Sequence, residues 1–452
     1  MNLRIPKIMS AQTARQVMTI IGARAILVRA LMPSLRALSL ALLLLISVVS
    51  AFSLSHSPNR NDSTSATVTV SLITCYPGSE IYELCGHEAI RIRGEGIDSV
   101  WNYGIFDFNE PNFIYRFVKG KTDYYVGGYP FAWFMPEYMA RGSKVVEQDL
   151  NLTSREAQSL HHMLQRRSLP ANCRYRYNYL TDNCATRIID DIDSSLGQNI
   201  SYAGSTRFAT YRQALRQYHS NYPWYQFGID LVLGSGLDAS INGRQEMFLP
   251  VEMSRHTAKA SMPDGRPMVK ATRVLYNGRD DAVLPPTPWY LTPMATALAL
   301  MFISIIITVA DAYRRKISAW WYTLYFTLIG LSGTLISFLV FFSDHAATSP
   351  NLLIFWLNLL QLLISVFIWV KNAKKFVRLL MWLNICIVVL LLVAWPLQQQ
   401  CADPAIFPIL AADLVLAGAY TLFTSADGTP PVEARGNKKT STRRKQRANR
   451  LK

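Results

Sequence analysis

The chain has 452 residues, of which 50% are hydrophobic and 17% charged, and its formal net charge is +16. Soluble globular chains carry about 25% charged residues, so this composition excludes an ordinary cytosolic enzyme and a disordered or collagen-like chain. The excess of Lys and Arg lies at the two ends and in two short central turns. Basic ends and turns around apolar segments are typical of a membrane protein, and we therefore expect no nucleic-acid partner.

Residues 1–54 are predicted to form a basic leader. The apolar run Ala37–Val49 follows several arginines and ends beside the small residues Ser50 and Ala51. This order is typical of a secretory signal peptide, and an uncleaved membrane span is the alternative. Residues 55–65 are rich in Ser, Asn and Thr, which predicts a linker.

Residues 66–280 have mixed polarity and are predicted to form an exported α+β domain. Alternating apolar and polar residues predict strands near Val70, over Ala89–Arg93 and over Ser99–Tyr103. A capping-box motif that begins at Thr153 predicts the first of two longer helices. The strands therefore come early in this domain and the helices later.

Residues 285–425 are predicted to form an all-α bundle of five transmembrane helices. Each of five apolar stretches is long enough to cross about 30 Å of hydrocarbon as a helix. These stretches are Trp289–Ala310, Ser318–Phe342, Leu352–Val370, Leu379–Leu397 and Ala405–Phe423.

The charges of the loops predict the orientation of the five spans. Asp311–Lys316 and Lys371–Arg378 are basic, whereas Ser343–Asn351 and Gln398–Pro404 contain no Lys or Arg. Basic loops stay on the cytoplasmic side, so the domain before the first span lies outside. The basic tail, residues 426–452, is then cytoplasmic, where attraction to anionic lipid explains its charge.

Cys184 is the candidate nucleophile. Asn183 is predicted to cap a helix that runs from Cys184 to Leu196, which places the thiol in the first helical turn. Unpaired backbone N–H groups and the helix dipole favour a thiolate at that position. Arg187, one turn later, can bind a phosphate or carboxylate, or pair with an aspartate of the same helix, Asp190 or Asp191. Asn183 and Arg187 are accordingly predicted to bind substrate.

A cysteine nucleophile needs a nearby base, and the base needs a partner that orients it. His87 begins a predicted strand and is the candidate base. Asn102 lies on the next strand and is the candidate orienting residue, although a strand-end polar residue without a role is the alternative.

The remaining cysteines of the exported domain are Cys75, Cys85 and Cys173, and disulfides among them are permitted in an exported compartment. There is no C-x-x-C pair, dinucleotide fingerprint or phosphate-binding glycine loop in the sequence. The sequence therefore predicts no metal and no cofactor.

A His that opens a strand, a polar residue on the next strand and then Asn-Cys opening a helix resemble a circularly permuted papain-like arrangement. That order is typical of NlpC-type peptidases and lecithin:retinol acyltransferase-like enzymes. The chain more closely resembles the Bacteroides-type lipoprotein N-acyltransferase family, Lnb. The matching segments are Leu72–Gly78, Glu80–Tyr82, Gly86–Arg91, Trp101–Gly104, Asp182–Arg187, Phe227–Gly234, Met247–Pro250 and Asp344–Asn351.

The resemblance implies an acyltransferase of the bacterial inner membrane whose catalytic domain is periplasmic. A fatty acyl chain would move from a phospholipid to Cys184, as a thioester. It would then pass to the amino group of a diacylglyceryl-cysteine lipoprotein. The implied partners are a phospholipid donor, a diacylated lipoprotein acceptor and membrane lipid.

Two polar groups of the membrane half are further candidates. Asp344 and His345 lie in a loop expected on the outer face, where they would contact a lipid head group or help to seat the exported domain. Asp413 is costly within lipid and should face protein or water, joined by Asn358, Gln361 and Asn384.

Two other functions stay open on the sequence alone. A cell-wall peptidase or amidase would use the same Cys184 and His87 with water as acceptor, but it has no need of five spans. A non-catalytic membrane receptor or scaffold would have Cys184 in a disulfide, for instance with Cys173.

Overall fold

A seven-stranded antiparallel sheet forms the first part of the computed structural model, which describes residues 68–94, 96–107, 109–197, 200–202, 204–280 and 284–425. The predicted leader, linker and basic tail lie outside the described residues. The strands are β1 Thr69–Cys75, β2 His87–Gly94, β3 Ile97–Ile105, β4 Asp123–Pro130, β5 Val145–Leu150, β6 Arg174–Arg176 and β7 Val269–Tyr276. Their spatial order is β6-β4-β3-β2-β1-β5-β7.

The first three strands confirm the alternation in the sequence, because their apolar side chains alternate between two covered faces of the sheet. The sequence predicted none of the four later strands, β4 to β7. Strand β7 pairs with β5 at the edge of the sheet and most of its side chains are exposed, so it carries no apolar period.

Eight helices accompany the sheet in the described residues. They are α1 Phe113–Val118, α2 Phe131–Arg141, α3 Ser154–Arg167, α4 Cys184–Ser195, α5 Tyr211–Tyr218, α6 Pro223–Val232, α7 Gly243–Glu246 and α8 Pro250–Thr257. The capping box at Thr153 and the cap at Asn183 are both present, so the two predicted helices are confirmed.

The two sheet faces have different helical covers. Ile188, Ile189 and Ile192 of α4 pack on the face that carries Ile90 and Trp101. Phe134 and Tyr138 of α2 pack on the opposite face, against Ile73, Ala89 and Val100. Burial on both sides fixes the register of the central strands, since a slip of one residue would exchange the two faces.

The helical region contains α9 Pro293–Arg314, α10 Ala319–Phe342, α11 Leu360–Phe367, α12 Lys374–Ala394 and α13 Ile406–Ser425. Among the described residues, four helices are long and apolar enough to cross a membrane, the third of these being α12 with its flanking turns. The protein thus has a sheet-containing domain followed by a helical region with four candidate spans. Leu352–Val370 is not one continuous helix, so the third of the five predicted spans is not confirmed.

Close packing and an amide side chain interrupt that segment. A short 3-10 helix covers Leu352–Phe355, and Asn358 then donates to the Phe355 carbonyl at 2.7 Å and accepts from the Leu360 amide at 3.0 Å. The backbone at Asn358 lies so near α10 that a Cβ on Gly333 would be 2.3 Å from its nitrogen. Hydropathy records the apolar composition of the segment but not this contact, so it predicted a continuous helix.

The loop after α10 lies against the sheet-containing domain. The Asp344 amide donates to the Lys119 carbonyl at 2.8 Å, and the Ser235 amide donates to the Pro350 carbonyl at 2.8 Å. The Asn351 side chain donates to the Leu231 carbonyl of α6 at 2.9 Å. The loop after α10 therefore holds the sheet-containing domain through several hydrogen bonds to its backbone.

Candidate active site

Cys184 is the first residue of α4, and its neighbour Asn183 fixes that helix end. The Asn183 side-chain oxygen accepts from the Thr186 amide at 3.0 Å. Its two amide hydrogens go to the carbonyls of Tyr179 and Phe248, both at 2.9 Å. Because these contacts use the whole side-chain amide, the structure places Asn183 as a buried helix cap and not as a substrate ligand.

The Cys184 thiol is 8% exposed. Burial raises the pKa of the Cys184 thiol to about 11, although the backbone amides of Glu88, Ala185 and Cys184 itself hydrogen-bond the sulfur and oppose that rise. The sequence-based expectation of a thiolate at rest is therefore wrong, because desolvation outweighs the helix terminus. The resting thiol is neutral at pH 7.

His87 opens β2 directly after Gly86, whose φ of +76° and close approach to the Cys75 carbonyl require a glycine. Burial lowers the pKa of the His87 imidazole to about 4, so the ring is neutral at pH 7. Its Nε2 is hydrogen-bonded to Asn102 Oδ1. A carbonyl oxygen only accepts, so we assign the proton to Nε2, which leaves Nδ1 as the basic nitrogen.

The three predicted catalytic residues gather at one end of β2 and β3. Asn102 on β3 contacts the imidazole directly. The sulfur of Cys184 lies on the backbone amide of Glu88, which is one peptide bond from His87. Helix α4 packs along β2 and β3. A buried neutral thiol and a buried neutral imidazole thus begin α4 and β2, two elements that pack together, and an amide orients the imidazole.

Three residues at the site carried no signal in the sequence. The Asn102 side-chain amide donates to the Tyr129 hydroxyl at 2.9 Å, and Tyr138 of α2 stacks on His87 with ring centroids 6.2 Å apart. Tyr129 and Tyr138 lie at the site because elements that are distant in sequence pack together there. Glu88 is fully buried, and burial raises its pKa well above the usual range.

All six cysteines are unpaired, so the structure shows none of the considered disulfides and Cys184 is not bridged. Cys85 Sγ lies 3.1 Å from the Tyr179 hydroxyl and 3.9 Å from His219 Nε2. Burial raises the pKa of the Cys85 thiol to about 12. A scaffold that depends on a bridged Cys184 has no support in this geometry.

The guanidinium of Arg187 is engaged by Asp182 and lies 4.0 Å over the Tyr175 ring. The expected pairs with Asp190 and Asp191 are wrong, because Arg244 pairs with Asp190 and Arg167 pairs with Asp191. Arg187 therefore stabilises the start of α4 through its contacts with Asp182 and Tyr175.

Asp344 and His345 lie at the junction between the two regions. His345 Nε2 donates to the Phe117 carbonyl of α1 at 2.8 Å, and its ring meets the Phe117 ring edge-on. The hydrogen bonds of both residues to the sheet-containing domain go to α1 and Lys119, and the structure does not bring either residue to Cys184, His87 or Asn102.

Asp413 is fully buried in α13 within a polar cluster. Its oxygens accept from Trp356 Nε1 at 2.8 Å and from the Asn384 amide. Gln361 donates to Asn384 Oδ1 at 2.8 Å. The expected grouping of Asp413 with Gln361 and Asn384 is confirmed, whereas Asn358 is used in the helix break.

Two family models match the chain. The Lnb N-terminal periplasmic domain matches residues 57–217, and the Lnb transmembrane domain matches residues 286–427. No curated protein and no solved structure matches it.

Proposed function

Since the chain belongs to the Lnb family and is a membrane protein with a periplasmic domain, we propose that it is a lipoprotein N-acyltransferase. Its donor is a membrane phospholipid, and its acceptor is the free amino group of a diacylglyceryl-cysteine lipoprotein. It acts at the outer face of a bacterial inner membrane, with its C-terminal tail in the cytoplasm. Residues 66–280 are its permuted papain-like catalytic domain.

The observation that most supports this proposal is the buried Cys184 thiol at the start of α4, held by the backbone amide of Glu88, the residue that follows His87 of the hydrogen-bonded His87–Asn102 pair. The thiol of Cys184 and the imidazole of His87 are both neutral at rest, and the reaction does not require them to form an ion pair first. His87 Nδ1 takes the thiol proton as the sulfur attacks the ester carbonyl of the phospholipid. Backbone N–H groups at the start of α4, including that of Cys184, stabilise the oxyanion. The glycerol oxygen leaves with the proton from His87, which gives a lysophospholipid and a thioester on Cys184.

The second half of the reaction uses the same residues in reverse. The neutral lipoprotein amine attacks the thioester carbonyl, and His87 accepts one proton from the nitrogen. The C–S bond breaks, and the proton returns to the Cys184 sulfur. The products are the amide and the original thiol, so no other reactant is required. Both substrates lie in one membrane leaflet, and the helical region holds the domain at that surface, which raises their effective concentration.

The test uses the full chain in detergent with an isotope-labelled phospholipid and a synthetic diacylglyceryl-cysteine peptide. We expect the peptide to gain the mass of one acyl chain on its amine. Cys184→Ala should abolish the gain, whereas Cys85→Ala, which removes a nearby buried thiol, should retain it. Release of free fatty acid at the same rate with and without the peptide would contradict transfer and indicate a hydrolase.

A further inference from the structure

A cavity of about 280 Å³ lies under α6, between the first two long helices of the helical region. Phe227 and Leu231 of α6 form its roof, Leu300 lines it from α9, and Trp356 and Ile409 form part of its back wall. Its size is close to the lower end for small-molecule sites, and its lining is almost entirely apolar.

The cavity opens toward lipid and is closed behind. Leu324 and Leu328 of α10 line it and are 47% and 51% exposed, whereas Trp356 and Leu357 at the back are 1% and 2% exposed. Helix α9 packs mainly along α13, and α10 packs along α11, so the first two spans leave a gap between them. A molecule can therefore enter sideways from the bilayer.

The cavity is long in the direction of the helices. On α10 the lining runs from Trp321 to Ser332. At 1.5 Å per residue this distance is about 16 Å. A narrow apolar slot of this length suits an acyl chain, while a head group or a peptide would lose its hydrogen bonds there.

Helix α6 connects the cavity to the thiol site. On the side away from the cavity, Gln226 Oε1 lies 2.8 Å from His219 Nδ1. His219 Nε2 is 3.9 Å from the sulfur of Cys85, two residues before His87. The roof of the cavity is therefore one helix away from the segment that carries the catalytic base.

We infer that this cavity binds one acyl chain of the donor phospholipid, drawn sideways from the bilayer. The inference rests on the proposed function and adds to it the place where the donor is held. The membrane cluster around Asp413 positions the back wall, since Trp356 lines the cavity while its indole nitrogen donates to Asp413.

Photolabelling tests the inference without turnover. The full chain carrying Cys184→Ala is placed in nanodiscs of phosphatidylethanolamine that contain a trace of the same lipid with a diazirine at the end of one acyl chain. We expect label on Trp356 and Leu357, which bulk lipid cannot reach. Label confined to outward-facing side chains would overturn the inference.

Two variants sharpen the result. Thr296→Trp fills the mouth from an exposed position and should lower label at Trp356 and Leu357 about tenfold, the loss expected when two methylene contacts are excluded. Leu298→Phe, on the same helix but outside the lining, should leave it unchanged. An equal loss of label in both variants would contradict binding of the acyl chain in this cavity.

A diazirine-bearing diacylglyceryl-cysteine peptide tests the other source of an acyl chain. Stronger label at the back wall from the peptide than from the phospholipid would overturn the donor assignment. In this design, a failure of lipid binding can be distinguished from a failure of catalysis. Back-wall label with no acyl transfer by the unmodified chain would keep the lipid site and reject the proposed function.

Discussion

Two buried clusters of polar residues in this protein differ in which of their polar atoms are hydrogen-bonded. In the membrane cluster, defined as Trp356, Gln361, Asn384 and Asp413, both carboxylate oxygens of Asp413 accept a hydrogen bond. At the thiol site, defined as His87, Asn102 and Cys184, the Asn102 side chain is hydrogen-bonded to only one of the two imidazole nitrogens of His87. A carboxylate whose two oxygens are both hydrogen-bonded holds structure, whereas the proposed function needs the imidazole nitrogen that Asn102 leaves available for proton transfer.

The largest effect expected from this comparison is at Cys184. Cys184→Ala should lower acyl transfer by at least about 10⁴-fold, as removal of a nucleophile does in other triads. The melting temperature should change little, because the sulfur accepts only backbone hydrogen bonds and a small side chain remains. Product mass spectrometry and thermal unfolding of the same preparation measure both. A variant that transfers at the normal rate would remove the thiol site from the mechanism.

Asn102 should have the next largest effect, through the orientation of His87. Asn102→Ala should lower kcat by about 10²-fold, within the range of general-base catalysis, with little change in KM. Asn102→Asp is the matched variant. It keeps an acceptor for Nε2 and adds a negative charge, which should raise the pKa of His87 and shift the acid limb of the rate profile upward. An unshifted profile would show that Asn102 does not contact the functional imidazole.

The pH profile of the unmodified protein follows from burial of His87. The base must be neutral, and its pKa is lowered to about 4, so kcat/KM should fall only as the pH drops through about 4. The same shift affects folding, because the unfolded chain binds this proton near its ordinary pKa of about 6.5. Stability should therefore decrease as the pH falls from about 6.5 to about 4. An acid limb near 6.5 would contradict the buried neutral imidazole.

Substitution of the membrane cluster should affect stability more than chemistry. Asp413→Leu leaves the donors of Trp356 and Asn384 without acceptors. Measured polar contacts between membrane helices average about 0.6 kcal/mol, so the loss should be about 1 kcal/mol for the two. Asp413→Asn retains one acceptor and should lose less. Thermal unfolding in detergent ranks the two variants, and an equal effect would argue against the assigned hydrogen bonds.

Arg187 should have the smallest effect. Its partner Asp182 is partly exposed, and such pairs contribute about 0.2–1 kcal/mol. Arg187→Ala should therefore lower stability slightly and leave transfer unchanged. A strong rise in KM for the phospholipid, measured against the matched variant Asp182→Asn, would restore Arg187 as a substrate ligand.

The parts of the site that could be predicted from sequence depend on local features. A capping residue at Asn183, a helix start at Cys184 and alternation on β2 and β3 are properties of a few adjacent residues. The positions of Tyr129 and Tyr138 depend on how β4 and α2 fold back onto the sheet, which no local pattern encodes.

The helical region shows the same limit on a larger scale. Hydropathy located all five apolar segments, but it counts composition and not backbone contact. The approach of Gly333 to Asn358 interrupts the third segment, and that contact joins residues of two different helices. The same holds for the thiol: its position at a helix end was predictable, while the burial that keeps it neutral depends on the complete fold.

Detection of the acyl-enzyme tests the proposed thioester on Cys184. The full chain is incubated with labelled phospholipid and no amine acceptor, and the adduct is located by intact mass and peptide mapping. We expect one acyl chain on Cys184, absent in Cys184→Ala, present in Cys85→Ala and discharged by a diacylglyceryl-cysteine peptide. An adduct on Cys85, or acylated peptide formed while Cys184 stays unmodified and reactive, would contradict it.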